Sequence, residues 1–154
     1  MDRKKNIFDM IGTVIPGYTG YAKREGRRNC DKILRDRIVT NLSAIEAGLY
    51  ERIKFALSLK DLTLANGLEE NRKKINTLSS KVKYAPHGET AFFSDKQIKE
   101  DKLLQIYQID FELTKVIDNL RGHINDIGLT ELESQITQGH AINDMRDNLV
   151  NQFK

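Results

Sequence analysis

Residues 103–127, LLQIYQIDFELTKVIDNLRGHINDI, determine the fold class that the sequence predicts. Steps of three and four separate their seam positions, so these side chains share one stripe of an α-helix. The seam consists of Leu103, Ile106, Asp110, Leu113, Ile117, Leu120, Ile124 and Ile127. Such a stripe is typical of a coiled coil or of a long helical bundle. At one position the acid Asp110 stands where an apolar residue is expected.

The composition indicates a single domain rich in charge. The chain has 154 residues, of which 39% are hydrophobic and 31% charged, and this balance favours a narrow bundle with much solvated surface. Its single cysteine, Cys30, excludes an intrachain disulfide and a cysteine-based zinc site. No run approaches the roughly 18 apolar residues of a membrane span. The N-terminal apolar stretch is short and contains Asp9, so we expect it to be retained in a cytoplasmic protein.

The sequence before the seam predicts a short helix followed by a long helical hairpin. In residues 6–15, apolar side chains at helical spacing predict an amphipathic helix that Pro16-Gly17 ends. A long helix is expected over residues 22–65, because Asn66-Gly67 forms a strong C-terminal stop. A second helix over 68–84 then returns antiparallel to it. Gly48 lies beside the apolar stripe of the long helix, where a neighbour could approach closely.

The second half of the chain predicts two further helices. Ser94 and Gln97 form a capping box that opens the seam helix, and Thr130 and Glu133 form one that opens a weaker last helix. We therefore predict an all-α protein, an elongated antiparallel bundle of three main, coiled-coil-like helices. A short N-terminal helix and hinge occupy residues 1–21, the bundle residues 22–127, and the C-terminal helix residues 128–154.

Asp110 has two interpretations. As a buried acid it holds a basic partner or fixes the register of helix pairing, at a cost in stability. Alternatively, a wide seam lets its carboxylate reach outward to water while Tyr107 and Phe111 cover the core. Neither interpretation implies catalysis.

Basic residues extend the apolar stripe of the long helix toward its N-terminus. At 100° per residue, one arc holds four of them and the extension of the stripe holds a fifth. The patch consists of Arg24, Arg27, Arg28, Lys32 and Arg35. It predicts an anionic partner at that end, which is an acidic protein surface, lipid headgroups or nucleic acid. The alternative is pairing with acids of the same chain.

The N-terminal helix offers a second candidate surface. Ile7, Phe8 and Ile11 form its apolar face, and a basic run precedes them, as in a helix that docks at a membrane interface. The hinge tyrosines Tyr18 and Tyr21 are expected to take part in this docking. The alternative is that the apolar face closes one end of the bundle.

The sequence shows no motif for catalysis or metal binding. His87, His123 and His140 lack metal-ligand spacing, and no Glu-x-x-His motif of a di-iron bundle occurs. Nor does the chain contain a glycine-rich phosphate loop or a serine elbow. We therefore expect a protein that is not an enzyme and that uses no metal or cofactor.

The segment Ile15-Pro16-Gly17-Tyr18-Thr19-Gly20-Tyr21 resembles the start of a group of small uncharacterised bacterial helical proteins. The similarity spans about residues 15–120 and continues through Glu25, Arg27, Arg28, Asp31, Leu34, Arg35, Tyr84, Gly88, Phe92 and Phe93. The resemblance implies a long helical hairpin and a place beside membrane-associated scaffold proteins, with no activity to carry over. It also implies that Tyr18 and Tyr21 fold the N-terminal segment back onto the long helix. Asp31 or Glu25 would then orient the arginines.

Taken together, these features predict a non-enzymatic helical scaffold or adaptor that mediates protein–protein interaction. Its N-terminal helix and basic patch would attach it to the inner face of a bacterial membrane. Nucleic-acid binding through the patch and self-association of the bundle are the two alternatives.

Overall fold

The structure is a computed structural model that describes residues 3–85, 91–94 and 98–153, with side chains from residue 7 onward. Its helices are α1 (Arg3–Val14), α2 (Arg27–Ser58), α3 (Leu62–Lys83), α4 (Glu100–His123) and α5 (Leu129–Asn151). Short 3-10 turns lie at Arg24–Gly26 and Ala91–Phe93. No strand occurs within the described ranges, and the all-helical prediction is confirmed.

α2 and α3 pack as an antiparallel pair. Along their middle, the Arg72 guanidinium lies 2.7 Å from the Glu46 carboxylate. Nearer the start of α2, Arg35 donates to the carbonyl oxygen of Lys83 at 3.5 Å. The residue number in one helix therefore falls as that in the other rises.

α4 and α5 form a second antiparallel pair. Asn119 donates to Gln135 near the connection between them, at 3.4 Å. Farther along, Asp110 of α4 accepts a hydrogen bond from Arg146 of α5 at 2.7 Å. The residue number in α5 therefore rises as that in α4 falls.

The two pairs lie side by side, with α2 running in the same direction as α4. Arg37 bonds to Asp118 at 3.1 Å, and farther along both helices Arg52 bonds to the Ile124 carbonyl oxygen at 3.1 Å. Between these contacts, a Cβ atom on Gly48 would lie only 2.9 Å from Ile124 Cγ2. The close approach expected at Gly48 is confirmed.

The seam predicted for residues 103–127 lies in the interior. All eight of its side chains are buried, and the apolar ones share one core with residues from every helix. α5 contributes Leu132, Ile136 and Val150, each at most 1% exposed, which differs from the weakly packed last helix that the sequence predicts. Met145, which the periodicity turns inward, is 54% exposed.

The break between α2 and α3 differs from the prediction. It lies at residues 59–61, and the predicted stop at Asn66-Gly67 is part of α3. Lys60 adopts the left-handed backbone conformation, with a φ of 59°. The Asp61 side chain accepts a hydrogen bond from the Leu64 amide at 3.1 Å. This N-cap starts α3 because it satisfies an amide that the first helical turn leaves unpaired.

The predicted capping boxes do not coincide with the helix starts. α4 begins after Lys99 and α5 after Gly128, and neither position carries a side-chain cap within the described residues. Thr130 lies inside α5, whereas Gln97 lies outside the described residues. Packing of each apolar face therefore supplies most of the stability of these helices.

Candidate functional site

Asp110 is fully buried and accepts hydrogen bonds from three side chains. Arg146 Nε donates to its Oδ1 atom at 2.7 Å. The hydroxyl groups of Tyr18 and Tyr21 donate to its Oδ2 atom, at 2.7 Å and 2.6 Å. Asp110 is therefore a buried acid that holds a basic partner, and the outward-facing alternative is wrong.

Arg146 lies at the centre of these contacts. Its Nη1 atom lies 2.8 Å from Asp31 Oδ1, and its Nη2 atom donates to the Tyr21 hydroxyl oxygen at 2.8 Å. Arg35, which is 25% exposed, bonds to the other oxygen of Asp31 at 2.9 Å. The buried ion cluster, as we call it, consists of Tyr18, Tyr21, Asp31, Asp110 and Arg146. It joins the N-terminal segment, α2, α4 and α5.

Burial raises the pKa of both tyrosines of the buried ion cluster. For Tyr18 and Tyr21, desolvation is the largest cause, and the adjacent charge of Asp110 acts in the same direction. Burial acts to lower the pKa of Arg146, but Asp110, Tyr21 and Asp31 outweigh it and keep that pKa well above its ordinary value. At neutral pH the two hydroxyls are therefore neutral and the guanidinium is charged.

Cys30 lies beside the buried ion cluster as a protonated thiol. The side chain is buried, and burial raises its pKa to about 12, with the charge of Asp110 acting in the same direction. Because the thiolate is the nucleophilic form, a pKa this high makes Cys30 a poor nucleophile near neutral pH.

Arg27 belongs to the interior. Its Nε atom donates to the carbonyl oxygen of Tyr21 at 2.8 Å, and its Nη1 atom donates to the carbonyl oxygen of Phe92 at 3.0 Å. The residue is 0% exposed, and it joins the segment after α1 and the turn at residues 91–93 to the start of α2. The predicted role of Arg27 in binding an external anion is not compatible with this position.

Two further residues of the predicted patch pair with acids of their own helix. Lys32 lies 2.7 Å from Asp36 on the surface, and Arg35 bonds to the buried Asp31. Lys32 and Arg35 therefore follow the alternative in which the basic residues pair with acids of the same chain.

Arg24 and Arg28 remain at the surface. Arg24 donates to the carbonyl oxygen of Ser94 at 3.4 Å, and the Arg28 guanidinium lies 5.0 Å from the centroid of the Phe93 ring. Together with Glu25 these residues line an open recess of about 320 Å³. The exposed part of the predicted patch is thus smaller than the sequence indicates, because Arg27 is buried, and the acid Glu25 lies beside it.

The apolar face of α1 lies against α4. Ile7 and Ile11 are buried, and the half-buried ring of Phe8 lies edge-on to Tyr107 with 5.2 Å between centroids. The chain then turns back at Gly20, whose φ is 86° and where a Cβ atom would lie 2.5 Å from Phe8 Cε2. This packing agrees with the alternative in which the N-terminal helix closes one end of the bundle.

The end of α2, the turn after it and the first residue of α3 expose four large apolar side chains. Phe55 is 66% exposed, Leu57 49%, Leu59 64% and Leu62 62%. We call residues 55–62 the hairpin tip. Other exposed large apolar side chains of the described chain are Met10, Val14, Tyr50, Tyr84 and Met145. A concentration of exposed apolar groups indicates a binding surface, whereas scattered ones are ordinary.

The hairpin tip projects beyond the second helix pair. Arg52 donates to the carbonyl oxygens of Ile124 and Ile127, at 3.1 Å and 2.8 Å, which places the connection between α4 and α5 beside it. On α3, Gly67 meets Leu129 at the start of α5. α2 continues for roughly 9 Å past Arg52, at 1.5 Å per residue. Among the described helices, neither α4 nor α5 reaches far enough to cover the tip.

The described part of the chain contains neither a cluster of metal ligands nor a helix suited to span a membrane. Across residues 3–85, 91–94 and 98–153, no three His, Cys, Asp or Glu side chains are grouped as metal ligands. His87 lies outside these ranges. None of the described helices combines the length and apolar character that crossing a membrane requires.

Comparison of the chain with family models, curated proteins and solved structures found no match. The resemblance of residues 15–120 to small bacterial helical proteins therefore stays a prediction. The structure does show Tyr18 and Tyr21 folded back onto the helices, where they bond to Asp110 of α4.

Neither Arg146 nor the hairpin tip belongs to a recognisable motif. Arg146 follows an apparent apolar position of α5, so periodicity gives it no special place. The available signal was composition, because Arg146 is the one Lys or Arg in α5 and Asp110 needs a basic partner. In the hairpin tip, the sequence Phe55-Ala-Leu57-Ser-Leu59 alternates where a helical stripe would not. This alternation distinguishes the hairpin tip from the apolar stripe that α2 packs into the core.

Proposed function

We propose that the chain is a non-enzymatic helical adaptor that docks onto a partner surface through its hairpin tip. In this proposal the helices form an elongated antiparallel bundle with coiled-coil-like packing, which holds the tip away from the N-terminal segment. The adaptor works at the inner face of a bacterial membrane. The observation that carries the proposal is the exposure of four large apolar side chains on a projection that α4 and α5 do not cover.

The energetic cost of that exposure supports a docking role. Fully burying one Leu or Phe side chain contributes about 1.5–3 kcal/mol, and the fold forgoes part of this at each of these positions, which are 49–66% exposed. Exposed apolar groups in one place also promote aggregation. A partner surface that covers the hairpin tip accounts for keeping Phe55, Leu57, Leu59 and Leu62 there.

The buried ion cluster supports an adaptor rather than an enzyme. Each of its residues is at most 5% exposed, and its charged groups bond to one another. A substrate in solution has no access to such groups. The neighbouring thiol of Cys30 is protonated, because burial raises its pKa to about 12. These residues support a structural role for the cluster.

An anionic contact at the other end has less support than the hairpin tip. Phosphate binding strengthens with the number of cations that reach the phosphates. Arg27 is buried, and Lys32 and Arg35 contact acids of α2. Nucleic-acid binding through this patch is therefore the less favoured proposal, with Arg24 and Arg28 as the surface residues of the patch that contact no acid of α2 in the bonds described above.

Site-specific photocrosslinking in living cells tests the adaptor proposal. A benzophenone amino acid replaces Phe55 in one variant, and Tyr84 or Met145 in two controls, which are 72% and 54% exposed. We expect covalent adducts from position 55 and few from the controls, because only the hairpin tip faces a partner. Adduct yields that are equal at the three positions would overturn the proposal.

The size of the adduct also tests self-association. A crosslinked species of twice the mass of the chain would identify a second copy as the partner. Sedimentation of the purified chain would then show a dimer at high concentration, and serine at Phe55 and Leu59 would return it to a monomer. A monomer at all concentrations excludes self-association through the hairpin tip.

A further inference from the structure

The partner of the hairpin tip can be inferred from the shape and chemistry of the tip. We propose that the tip inserts its apolar side chains into the interface of a lipid bilayer. This inference rests on the proposed function, because it names the partner of the same surface. It places the membrane contact at the C-terminal end of α2, whereas the sequence predicted it on the N-terminal helix α1.

The N-terminal helix cannot supply that contact in the packed state. Its apolar residues Ile7 and Ile11 are buried against the rest of the protein, at 6% and 1% exposure. Insertion of α1 into lipid would require these contacts to break first. At the hairpin tip, Phe55 and Leu59 are exposed without any rearrangement.

The apolar side chains of the hairpin tip point in several directions. Phe55 and Leu59 are four residues apart on one side of α2, where they continue the line of Gly48 and Arg52 that faces α4. At 100° per residue, Leu57 lies on the opposite side of the helix. A protein partner that packs on one face would leave Leu57 exposed. Hydrocarbon surrounds a projection and covers all of its sides.

The area of the hairpin tip also favours lipid over a second copy of the chain. Standard protein–protein interfaces bury about 800 Å² on each partner. Four partly exposed side chains supply roughly a few hundred Å², well below that area. Insertion into a bilayer needs no complementary surface, and its strength scales with the apolar area that enters the interface.

Charged residues at the hairpin tip set the depth of insertion. Lys60 and Asp61 are exposed at its apex, and Lys54 is exposed one turn below the apex of α2. Long lysine side chains can place their ammonium groups among lipid headgroups while their stems lie along apolar surface. Asp61 keeps its carboxylate near the headgroups as it caps Leu64 at 3.1 Å. We therefore infer shallow insertion into one leaflet.

This mode of binding predicts a weak dependence on salt. The segment 51–62 has three basic and two acidic residues, so its net charge is small. Binding through apolar side chains persists when exposed charges are screened. Docking through Arg24 and Arg28 would instead require anionic lipid and would be lost as salt rises.

Flotation of the purified full chain with lipid vesicles tests the inference. The vesicles contain phosphatidylcholine, with or without phosphatidylglycerol, at low and moderate salt. We expect the chain to float with both compositions at both salt concentrations. The double variant Phe55→Ser with Leu59→Ser should bind at least about tenfold more weakly, because two apolar side chains no longer enter the lipid.

Matched variants identify which surface binds. The double variant Tyr84→Ser with Met145→Ser removes equally exposed apolar groups outside the tip and should float like the unaltered chain. Arg24→Glu with Arg28→Glu should also float. Circular dichroism checks that each variant keeps its helices. Flotation that survives the change at residues 55 and 59, or that is lost with the change at residues 24 and 28, would overturn the inference.

The two experiments separate this inference from the adaptor proposal. Failure of the chain to float, combined with protein adducts from position 55 in cells, overturns the lipid partner and leaves the adaptor proposal standing. Failure of both experiments overturns both. Flotation together with lipid-sized adducts from position 55 supports both.

Discussion

Near its N-terminus α2 buries charged side chains, whereas at its C-terminus it exposes apolar ones. Arg27 and Asp31 are at most 2% exposed, while Phe55 and Leu59 are at least 64% exposed. The buried charges are compensated by hydrogen bonds and ion pairs from other parts of the chain. Within the described residues, no helix covers the exposed apolar groups. The first region therefore explains how the protein holds together, and the second is where a partner is expected.

The buried ion cluster also gives α2 a defined position among its neighbours. Burying ions costs free energy unless their geometry and hydrogen bonds are good, so the cluster penalises any arrangement in which partners separate. Asp31 lies on α2, Asp110 on α4 and Arg146 on α5. We interpret the cluster as a set of interactions that favours one arrangement of α2, α4 and α5 over others, which is the register role predicted for Asp110.

The largest expected loss of stability comes from removing the cation of the buried ion cluster. Arg146→Met leaves the carboxylates of Asp31 and Asp110 buried without their shared cation, which costs about 3–5 kcal/mol of stability. Urea unfolding measures the loss. Lys32→Met, which removes an exposed ion pair with Asp36, should change little. A loss below about 1 kcal/mol for Arg146→Met would show that the cluster does not hold the helices together.

A second pair of variants compares a buried leucine of α2 with an exposed leucine of the hairpin tip. Leu49→Ala should cost about 2–5 kcal/mol because Leu49 is 0% exposed and its removal leaves a cavity. Leu59→Ala should change stability by no more than about 0.5 kcal/mol, because the side chain is 64% exposed. Thermal and urea unfolding measure both. Equal losses would mean that the hairpin tip is covered in solution.

Alkaline pH is expected to lower the stability of the fold through the tyrosines of the buried ion cluster. Burial raises the pKa of Tyr18 and Tyr21 above 10, so above pH 10 the unfolded chain binds fewer protons than the folded one. Stability therefore falls as pH rises past 10, by up to about 1.4 kcal/mol per pH unit for each tyrosine. Cys30, with a pKa raised from 9.0 to about 12, starts the loss near pH 9.

Unfolding in urea between about pH 8 and about pH 11 measures this slope. Tyr18→Phe should flatten it, because one raised pKa is removed. Tyr84→Phe, which alters a tyrosine that is 72% exposed, should leave it unchanged. The same slope in all three proteins would contradict burial as its cause.

The smallest expected effect tests where the covered part of α2 ends. Gly48→Ala places a methyl group 2.9 Å from Ile124 Cγ2, and the branched side chain has little room to move. We expect a loss of about 1 kcal/mol from this overpacking. Gly122→Ala, with nothing within 4 Å, should instead stabilise α4 by about 0.5–1 kcal/mol. Urea midpoints that shift in the same direction would contradict the close contact between α2 and α4.

Local pattern predicted several elements of the fold and misplaced others. The seam of α4 was predicted residue by residue, because a three–four repeat is set by helix geometry alone. The break before α3 was misplaced, since Asn66-Gly67 has the composition of a helix stop but Gly67 packs against Leu129 within α3. Sequence position could not distinguish a glycine that ends a helix from one that admits a neighbour.

The candidate sites were predicted less completely than the helices. Asp110 was identified as an anomaly, but its partner Arg146 is 36 residues away and shares no spacing with it. Arg27 was assigned to a basic surface patch because it extends the apolar stripe of the long helix among other bases, whereas in the structure it bonds to the Tyr21 and Phe92 carbonyl oxygens. Contacts between distant segments leave no periodic signal in the chain.

The sequence by itself determined that this protein is helical, where its main apolar stripe lies and that an acid interrupts the stripe. Each of these properties depends on spacing along one helix, which residue order specifies directly. Only the tertiary structure decided which charges are buried and which apolar groups remain exposed. The physical reason is that burial depends on how far neighbouring helices extend: α4 and α5 cover Asp31 of α2 but end before they reach Phe55 and Leu59.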